Sequence, residues 1–257
     1  MLYLYAIVDA EPADSEVHQG QQGRQGLQSP LGVVVPEVPA VPDVPPPLPL
    51  LGEGIAGEPL RLVHLNGFSA VVGDLPDRPR PDRESLKGQD AVARRLAEIF
   101  QAILPARFGE VFSDEAALAS KLAGREREMT EALARVRGCV QMTLRVFGEP
   151  EAAPKPETEE TGPGSRYLAA RRREAERARS LPEIEPLREA LRPLLRAERI
   201  ERADSGPLLG TAYHLVLRGQ DGAYREALEA ARERIGGRRV AATGPWPPYA
   251  FAPEAAP

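Results

Sequence analysis

Apolar positions run without interruption from Leu2 to Val8, and such a run at strand length predicts a strand covered on both faces. Strict alternation would set Leu2, Leu4, Ala6 and Val8 on one face and Tyr3, Tyr5 and Ile7 on the other. Two more apolar stretches, Leu60–Leu65 and Phe68–Gly73, flank Asn66-Gly67. Both residues of that dipeptide accept positive φ, which predicts a hairpin. The period then changes from two to that of a helix. Val92, Leu96, Ile99, Phe100 and Ile103 form one stripe and predict a helix over 83–103, ended by Pro105. Leu118, Leu122, Met129, Leu133 and Val136 form another and predict a single helix over 114–137. Ser113 is placed to cap its start and Gly138 to close it.

Clean alternation returns over Cys139–Phe147. Val140, Met142, Leu144 and Val146 face one way and Gln141, Thr143 and Arg145 the other, as in a half-buried strand. Helical spacing follows over 165–179 and again to Ala197, with Ile184, Leu187, Leu191 and Leu194 in register and Pro193 placed to bend or end the second helix. Strands over 199–203 and 211–218, a helix over 221–235 and a last strand over 238–243 complete the chain. From residue 139 the order is βαββαβ, the ferredoxin-like order, whereas the first part reads β-β-β-α-α. The expectation is an α+β protein of two domains. Residues 1–138 would carry a small sheet and two helices, and residues 139–257 a ferredoxin-like unit. Within the first, residues 11–53 change character abruptly: glutamines among glycines, then proline at nearly every third position from Pro36 to Pro45. This favours an extended polyproline II path, and we read a Pro/Gln-rich spacer inserted in a surface loop. A proline-rich ligand for a partner is the alternative.

Composition narrows the chemistry. A chain of 257 residues with 42% hydrophobic and 28% charged positions supports a real core beneath a polar surface. No apolar run approaches the roughly 20 residues that span a bilayer. No basic region precedes the Leu2–Val8 run, so a strand and a cytoplasmic location are expected rather than a signal peptide. The net charge of -5 disfavours nonspecific nucleic-acid binding. Cys139 is the sole cysteine and reads as a small buried hydrophobe. His18, His64 and His214 are too scattered for a metal site, and no phosphate-cradling loop, dinucleotide fingerprint or nucleophile elbow occurs. No catalytic, cofactor or metal residue is therefore expected. The arginine-rich stretch Arg166–Arg179 reads as a solvated helix face, with an anion- or partner-binding face as its alternative.

Two segments shape backbone rather than perform chemistry: Leu104-Pro105-Ala106-Arg107-Phe108-Gly109-Glu110-Val111-Phe112 and Gly244-Pro245-Trp246-Pro247-Pro248-Tyr249. Proline and glycine fix the path, and aromatics supply anchoring area, so Phe108 and Trp246 are expected to be buried anchors. Arg107, held in a stiff turn, is placed for a salt bridge or an interface. Together with Tyr3-Leu4-Tyr5, Ala70-Val71-Val72 and Gly164-Ser165-Arg166-Tyr167-Leu168, these segments resemble the gas vesicle protein GvpL/GvpF family. The 11–53 insertion departs from the family's compact form. The resemblance implies a nonenzymatic accessory protein of gas vesicle assembly, located in the cytoplasm with the vesicles. Its implied partners are the hydrophobic shell protein or other accessory proteins, with no nucleic acid and no membrane. It implies structural or interface roles for Pro105, Arg107, Phe108, Gly109, Tyr167, Gly244, Trp246 and Tyr249. The rival reading is a small-molecule sensor built on ferredoxin-like domains.

Overall fold

The computed structural model describes residues 1–9, 51–149, 171–172, 180–203 and 206–253. It is an α+β fold with two antiparallel sheets. The first sheet has β1 (Leu2–Val8), β2 (Arg61–Leu65), β3 (Phe68–Asp74), β4 (Ile103–Pro105) and β5 (Val111–Phe112). Its order is β2-β3-β1-β4, with β5 also paired to β1. Every residue of β1 is buried, as an unbroken apolar run requires. The expected alternation, however, fails midway. Register slips between Leu4 and Ala6 where β1 meets β3, a bulge that reverses the facing of Ala6, Ile7 and Val8. Leu2, Leu4 and Ile7 therefore share one core, and Tyr3, Tyr5, Ala6 and Val8 share the other. The β2–β3 hairpin forms around Asn66-Gly67, with Leu65 opposite Phe68 and Gly67 at φ 85°.

Helix α1 (Arg83–Ile99) is capped by Asp82, whose side chain accepts from the Ser85 amide at 2.8 Å. It lays Val92 and Leu96 on Tyr3, Tyr5 and Val71, and burying each such side chain stabilises the fold by about 1.5–3 kcal/mol. It stops at Ile99, short of the expected Ile103. Phe100 turns extended, and Ile103-Leu104-Pro105 become β4 against β1. The proline biases its predecessor away from helical torsions, and pairing with β1 completes the strand. The single helix expected over 114–137 is two, α2 (Glu115–Leu122) and α3 (Glu126–Val136). Gly124 at φ 77° breaks them, and the cap at the start of α2 is Asp114 rather than Ser113. The apolar stripe is continuous because both helices face one core.

The second sheet has β6 (Cys139–Phe147), β7 (Leu195–Arg202), β8 (Leu208–Leu217) and β9 (Arg239–Trp246) in the order β7-β8-β6-β9. Helices α4 (Glu185–Leu191) and α5 (Asp221–Ala231) cover one face, burying Leu187, Leu191, Tyr224 and Leu228 on Met142, Leu144 and Val216. The turn Arg192–Leu194, carrying Pro193, ends the helical stretch, and β7 starts at Leu195. It starts earlier than residue 199 because Leu195 and Ala197 pair with β8.

The other face of this sheet is covered over much of its length, although Arg145 is exposed. Cys139 and Leu215 join Leu2, Leu4, Leu104, Leu118 and Leu133 in one core that spans both sheets. Gln141 and Thr143, expected to face water, are 4% and 6% exposed for that reason. Gln141 stays satisfied by donating to the Thr143 hydroxyl at 3.1 Å and accepting from the Ala250 amide at 2.8 Å. The spacer expected over 11–53 lies outside the described residues up to 50. Its last residues are built into the fold: Leu51 is buried, and Arg95 donates to the carbonyls of Leu51 and Glu53 at 2.9 and 2.5 Å.

Candidate functional site

Backbone pairing and one buried phenol hold the 104–112 segment. Leu104 lies opposite Ile7, the Ala106 amide donates to the Tyr5 carbonyl at 2.9 Å, and the Leu4 amide donates to the Glu110 carbonyl at 3.0 Å. Between these bonds the chain makes a turn that needs Gly109 at φ 85°. The Gly109 amide donates to the Tyr3 hydroxyl at 3.1 Å, and its carbonyl accepts from Arg78 at 2.9 Å. The Tyr3 hydroxyl in turn donates to Gln89 of α1, whose amide nitrogen donates to the Ala106 carbonyl at 2.9 Å. Burial pushes the Tyr3 phenol above its ordinary pKa, so it stays a neutral donor. Phe108 is half-buried rather than enclosed; its ring meets Tyr3 edge-on at 6.3 Å. Arg107 is exposed.

The 244–251 segment straps the second sheet to the first helix. Gly244 sits at φ 123°, and a Cβ there would lie 2.7 Å from the Gln141 carbonyl oxygen, so only glycine lets β9 approach β6. The Trp246 indole, also half-buried, lies under the Arg94 guanidinium of α1 at 4.3 Å and reaches the Thr243 hydroxyl at 3.4 Å. Asp90, one turn before Arg94, binds that arginine at 2.8 Å and accepts from the Tyr249 hydroxyl at 3.3 Å. The Ala250 carbonyl accepts from Arg199 at 3.0 Å, and Phe251 enters the shared core.

Both segments border a groove of about 290 Å³ between the two sheets. Its floor is apolar: Leu4, Ile7, Leu104, Leu122 and Met129. Its polar lining includes Arg107, Lys121, Arg125 and Arg199 against Glu110 and Glu201. Burial raises the Glu110 carboxyl, with Arg107, Lys121 and Arg125 pulling the other way. Of the residues singled out in the sequence, Pro105, Arg107 and Tyr249 line this groove. Phe108, Gly109, Gly244 and Trp246 shape the segments beside it. Tyr167 and the Gly164–Leu168 segment lie outside the described residues, as does the arginine-rich stretch apart from Arg171 and Arg172, which are helical and exposed.

Sequence reasoning passed over a buried polar network on the far side of the second sheet. His214, 1% exposed, sits between Tyr224 at 2.7 Å and Glu198 at 3.0 Å, and Glu198 also binds Arg188 at 2.5 Å. An ionised carboxylate only accepts, so His214 Nε2 carries a proton toward Glu198, while Nδ1 meets the Tyr224 hydroxyl. Alternation did hold the signal: His214 shares its strand parity with buried Ala212 and Val216. Among the described residues no group of three or more His, Cys, Asp or Glu side chains is placed to hold a metal ion. No helix among them is long and apolar enough to cross a membrane.

Comparison with known proteins gives a consistent likeness. The profile of the family described as gas vesicle synthesis protein GvpL/GvpF matches residues 1–253. Gas vesicle protein L of Streptomyces sp. (strain CB03234) is 29% identical over 235 residues, covering 80% of this chain and 87% of that protein. Among solved structures, the gas vesicle protein GvpF from Anabaena sp. PCC7120 superposes with a TM-score of 0.63 at 15% identity, over 98% of this chain and 96% of that one. GvpF from Microcystis aeruginosa gives 0.62 at 18% identity, over 98% and 99%. At these identities the two crystal structures establish a common fold.

Proposed function

This chain belongs to the gas vesicle synthesis protein GvpL/GvpF family, and from that premise we infer that it serves gas vesicle formation by binding, without turnover. Its partners are the hydrophobic shell protein or other accessory proteins, met in the cytoplasm where the vesicles assemble; it engages neither nucleic acid nor membrane. A shell protein that polymerises around gas exposes apolar strand surface before it assembles, and a folded partner shields or templates that surface. The carrying observation is that both motif segments, far apart in sequence, border one groove between the sheets.

We read the architecture as two domains meeting at Gly138, the second of them ferredoxin-like. The sheet order β7-β8-β6-β9 with two helices on one face supports that reading. The core they share implies that neither half presents its partner surface alone. In the same spirit Pro105, Arg107 and Tyr249 are read as interface residues, and Phe108, Gly109, Gly244 and Trp246 as their supports.

One observation favours the rival sensor reading. Arg125, Arg199, Glu110, Glu201 and Tyr213 converge on a groove near the size of a small-ligand site, roughly 300 Å³ and upward. The deciding experiment is retention of gas vesicle proteins from a vesicle-forming cell extract on the immobilised full chain, compared with a chain lacking residues 139–257. The binding reading expects shell or accessory protein on the full chain and none on the truncated one. Retention of no vesicle protein by the full chain contradicts it.

A further inference from the structure

We propose that the free edge of β2, with the groove beside α2, docks an extended segment of a partner protein as a further strand, seating an apolar side chain on the groove floor and a lysine or arginine at Glu126. The inference rests on the binding role proposed above and adds where and how a partner is held. The edge comes first. β2 ends its sheet, and the Leu60 amide donates to the Gly52 carbonyl at 3.0 Å on the side away from β3. Backbone groups alternate sides along a strand, so the amides and carbonyls of Leu62 and His64 point that way too. Among the described residues no other segment bonds to them. Unpaired groups of this kind are the template for strand addition.

The groove gives the added strand a seat. Helix α2 runs beside β2: Arg61 bonds Glu115 at one end, and at the other Leu65 and Phe68 line a groove of about 550 Å³ with Ala119, Leu122 and Ala123. That volume takes a few side chains and not a folded domain. An edge strand walled by a helix is a recurring way to hold an extended peptide, with backbone bonds along the strand and side chains in the groove. Charge names the occupant. Of the first carboxylates of α3, Glu128 is held by Arg125 at 2.7 Å and Glu131 by Arg127 at 2.7 Å. Half-buried Glu126 makes no ion pair among the described residues and borders the groove. A single uncompensated carboxylate beside an apolar floor selects a basic side chain, and the chain's own formal charge of -5 disfavours a second copy. The other edges are guarded. In β9, Arg232 and Arg225 donate to the carbonyls of Val240 and Gly244. In β7, Arg196, Glu198, Arg199, Glu201 and Arg202 place charge along the strand. β4 is three residues long and wholly buried.

The test uses the full chain and a fluorescein-labelled octapeptide of alternating Val and Lys, with an alternating Val and Glu peptide as control. Fluorescence anisotropy reads binding, and amide hydrogen exchange reads the edge. The expected result is binding of the basic peptide alone, with slowed exchange at Leu62 and His64. Glu126→Lys weakens that binding by about fivefold or more, and thermal melting verifies that the variant is folded. Equal binding of the acidic peptide, no binding of the basic one, unchanged exchange at Leu62 and His64, or indifference to Glu126→Lys overturns the proposal. So does a dimer of the chain alone that protects the same amides. Peptide binding that emerges only when residues 12–45 are replaced by a short Gly/Ser linker also overturns it, since the edge would then belong to the chain itself. The retention experiment is scored separately. Vesicle proteins retained equally by the parent and by Glu126→Lys overturn the docking site and leave the binding role standing. Loss of retention by the parent itself sinks the binding role.

Discussion

Replacing Tyr3 by Phe isolates the contact that holds the 104–112 segment in place. The ring remains, so no packing volume is lost beyond one oxygen; what goes is a hydroxyl that serves two partners. Without it the Gly109 amide loses its acceptor and the Gln89 side chain, 5% exposed, loses its donor. A buried polar group left unsatisfied costs about 1–3 kcal/mol. Two such groups span about 2–6 kcal/mol, and because Gln89 keeps its bond to the Ala106 carbonyl the combined loss is expected in the lower half, about 2–4 kcal/mol. For a chain of this size that lowers the melting temperature by about 4–16 °C. Urea denaturation of the parent, Tyr3→Phe, Gln89→Leu and the double variant supplies a cycle. Because the two side chains touch, the double variant is expected to lose less than the sum of the singles by about 1 kcal/mol or more. Hydrogen exchange at the Gly109 amide is expected to accelerate in Tyr3→Phe. A variant within about 0.5 kcal/mol of the parent, the range of ordinary surface changes, would refute the reasoning.

Gly109→Ala is expected to cost about 1–2 kcal/mol for its left-handed torsion alone. Gly244→Ala is expected to cost more, because its Cβ also meets the Gln141 carbonyl; equal costs in urea denaturation would contradict the close approach of β9 to β6. Burial alone would raise the Glu198 carboxyl, but hydrogen bonds from His214 and Arg188 outweigh it and hold the group at about 2. Its folded pKa lies below its unfolded one. The ionised group therefore stabilises the protein fully above the ordinary glutamate range, and the contribution disappears as pH falls toward 2. The stability gap between parent and Glu198→Gln is thus expected to shrink on acidification, and a constant gap would count against the network. Trp246 is the sole tryptophan, so intrinsic emission reports its contact with Arg94. Arg94→Met is expected to change that emission and cost about 0.5–1 kcal/mol, whereas an unaltered spectrum would rule out the stack.

Elements were legible in the sequence wherever a single periodicity decided them. The fully buried β1, the Asn66-Gly67 hairpin, the stripe of α1 and the strand Cys139–Phe147 are all set by spacing. Spacing misled where tertiary pairing overrode it. Ile103 continues the α1 stripe but is drawn into β4 by β1, and the bulge after Leu4 reverses the facing of Ala6, Ile7 and Val8. A stripe cannot show that Gly124 divides α2 from α3, since both sides of the break face one core. Gln141 and Thr143 read as solvated because alternation reports a strand's two faces and not what lies beyond them. Here the second face meets the first sheet and the 249–251 turn. The motif residues were found through their proline, glycine and aromatic content. The residues that hold them, Tyr3, Gln89, Asp90 and Arg94, sit within ordinary strand and helix sequence. Their partners lie far along the chain, and only the fold brings them together.

The most direct test of the central claim, that this chain supports gas vesicle formation by binding, is deletion of its gene in a host that forms gas vesicles. The deletion strain is complemented with the intact chain or with one lacking residues 139–257, and vesicles are scored by buoyancy and electron microscopy. The account predicts few or no vesicles in the deletion strain and rescue by the intact chain alone, because the core and the groove both need the two sheets. Normal vesicles in the deletion strain, with no second copy of the gene to compensate, would contradict it.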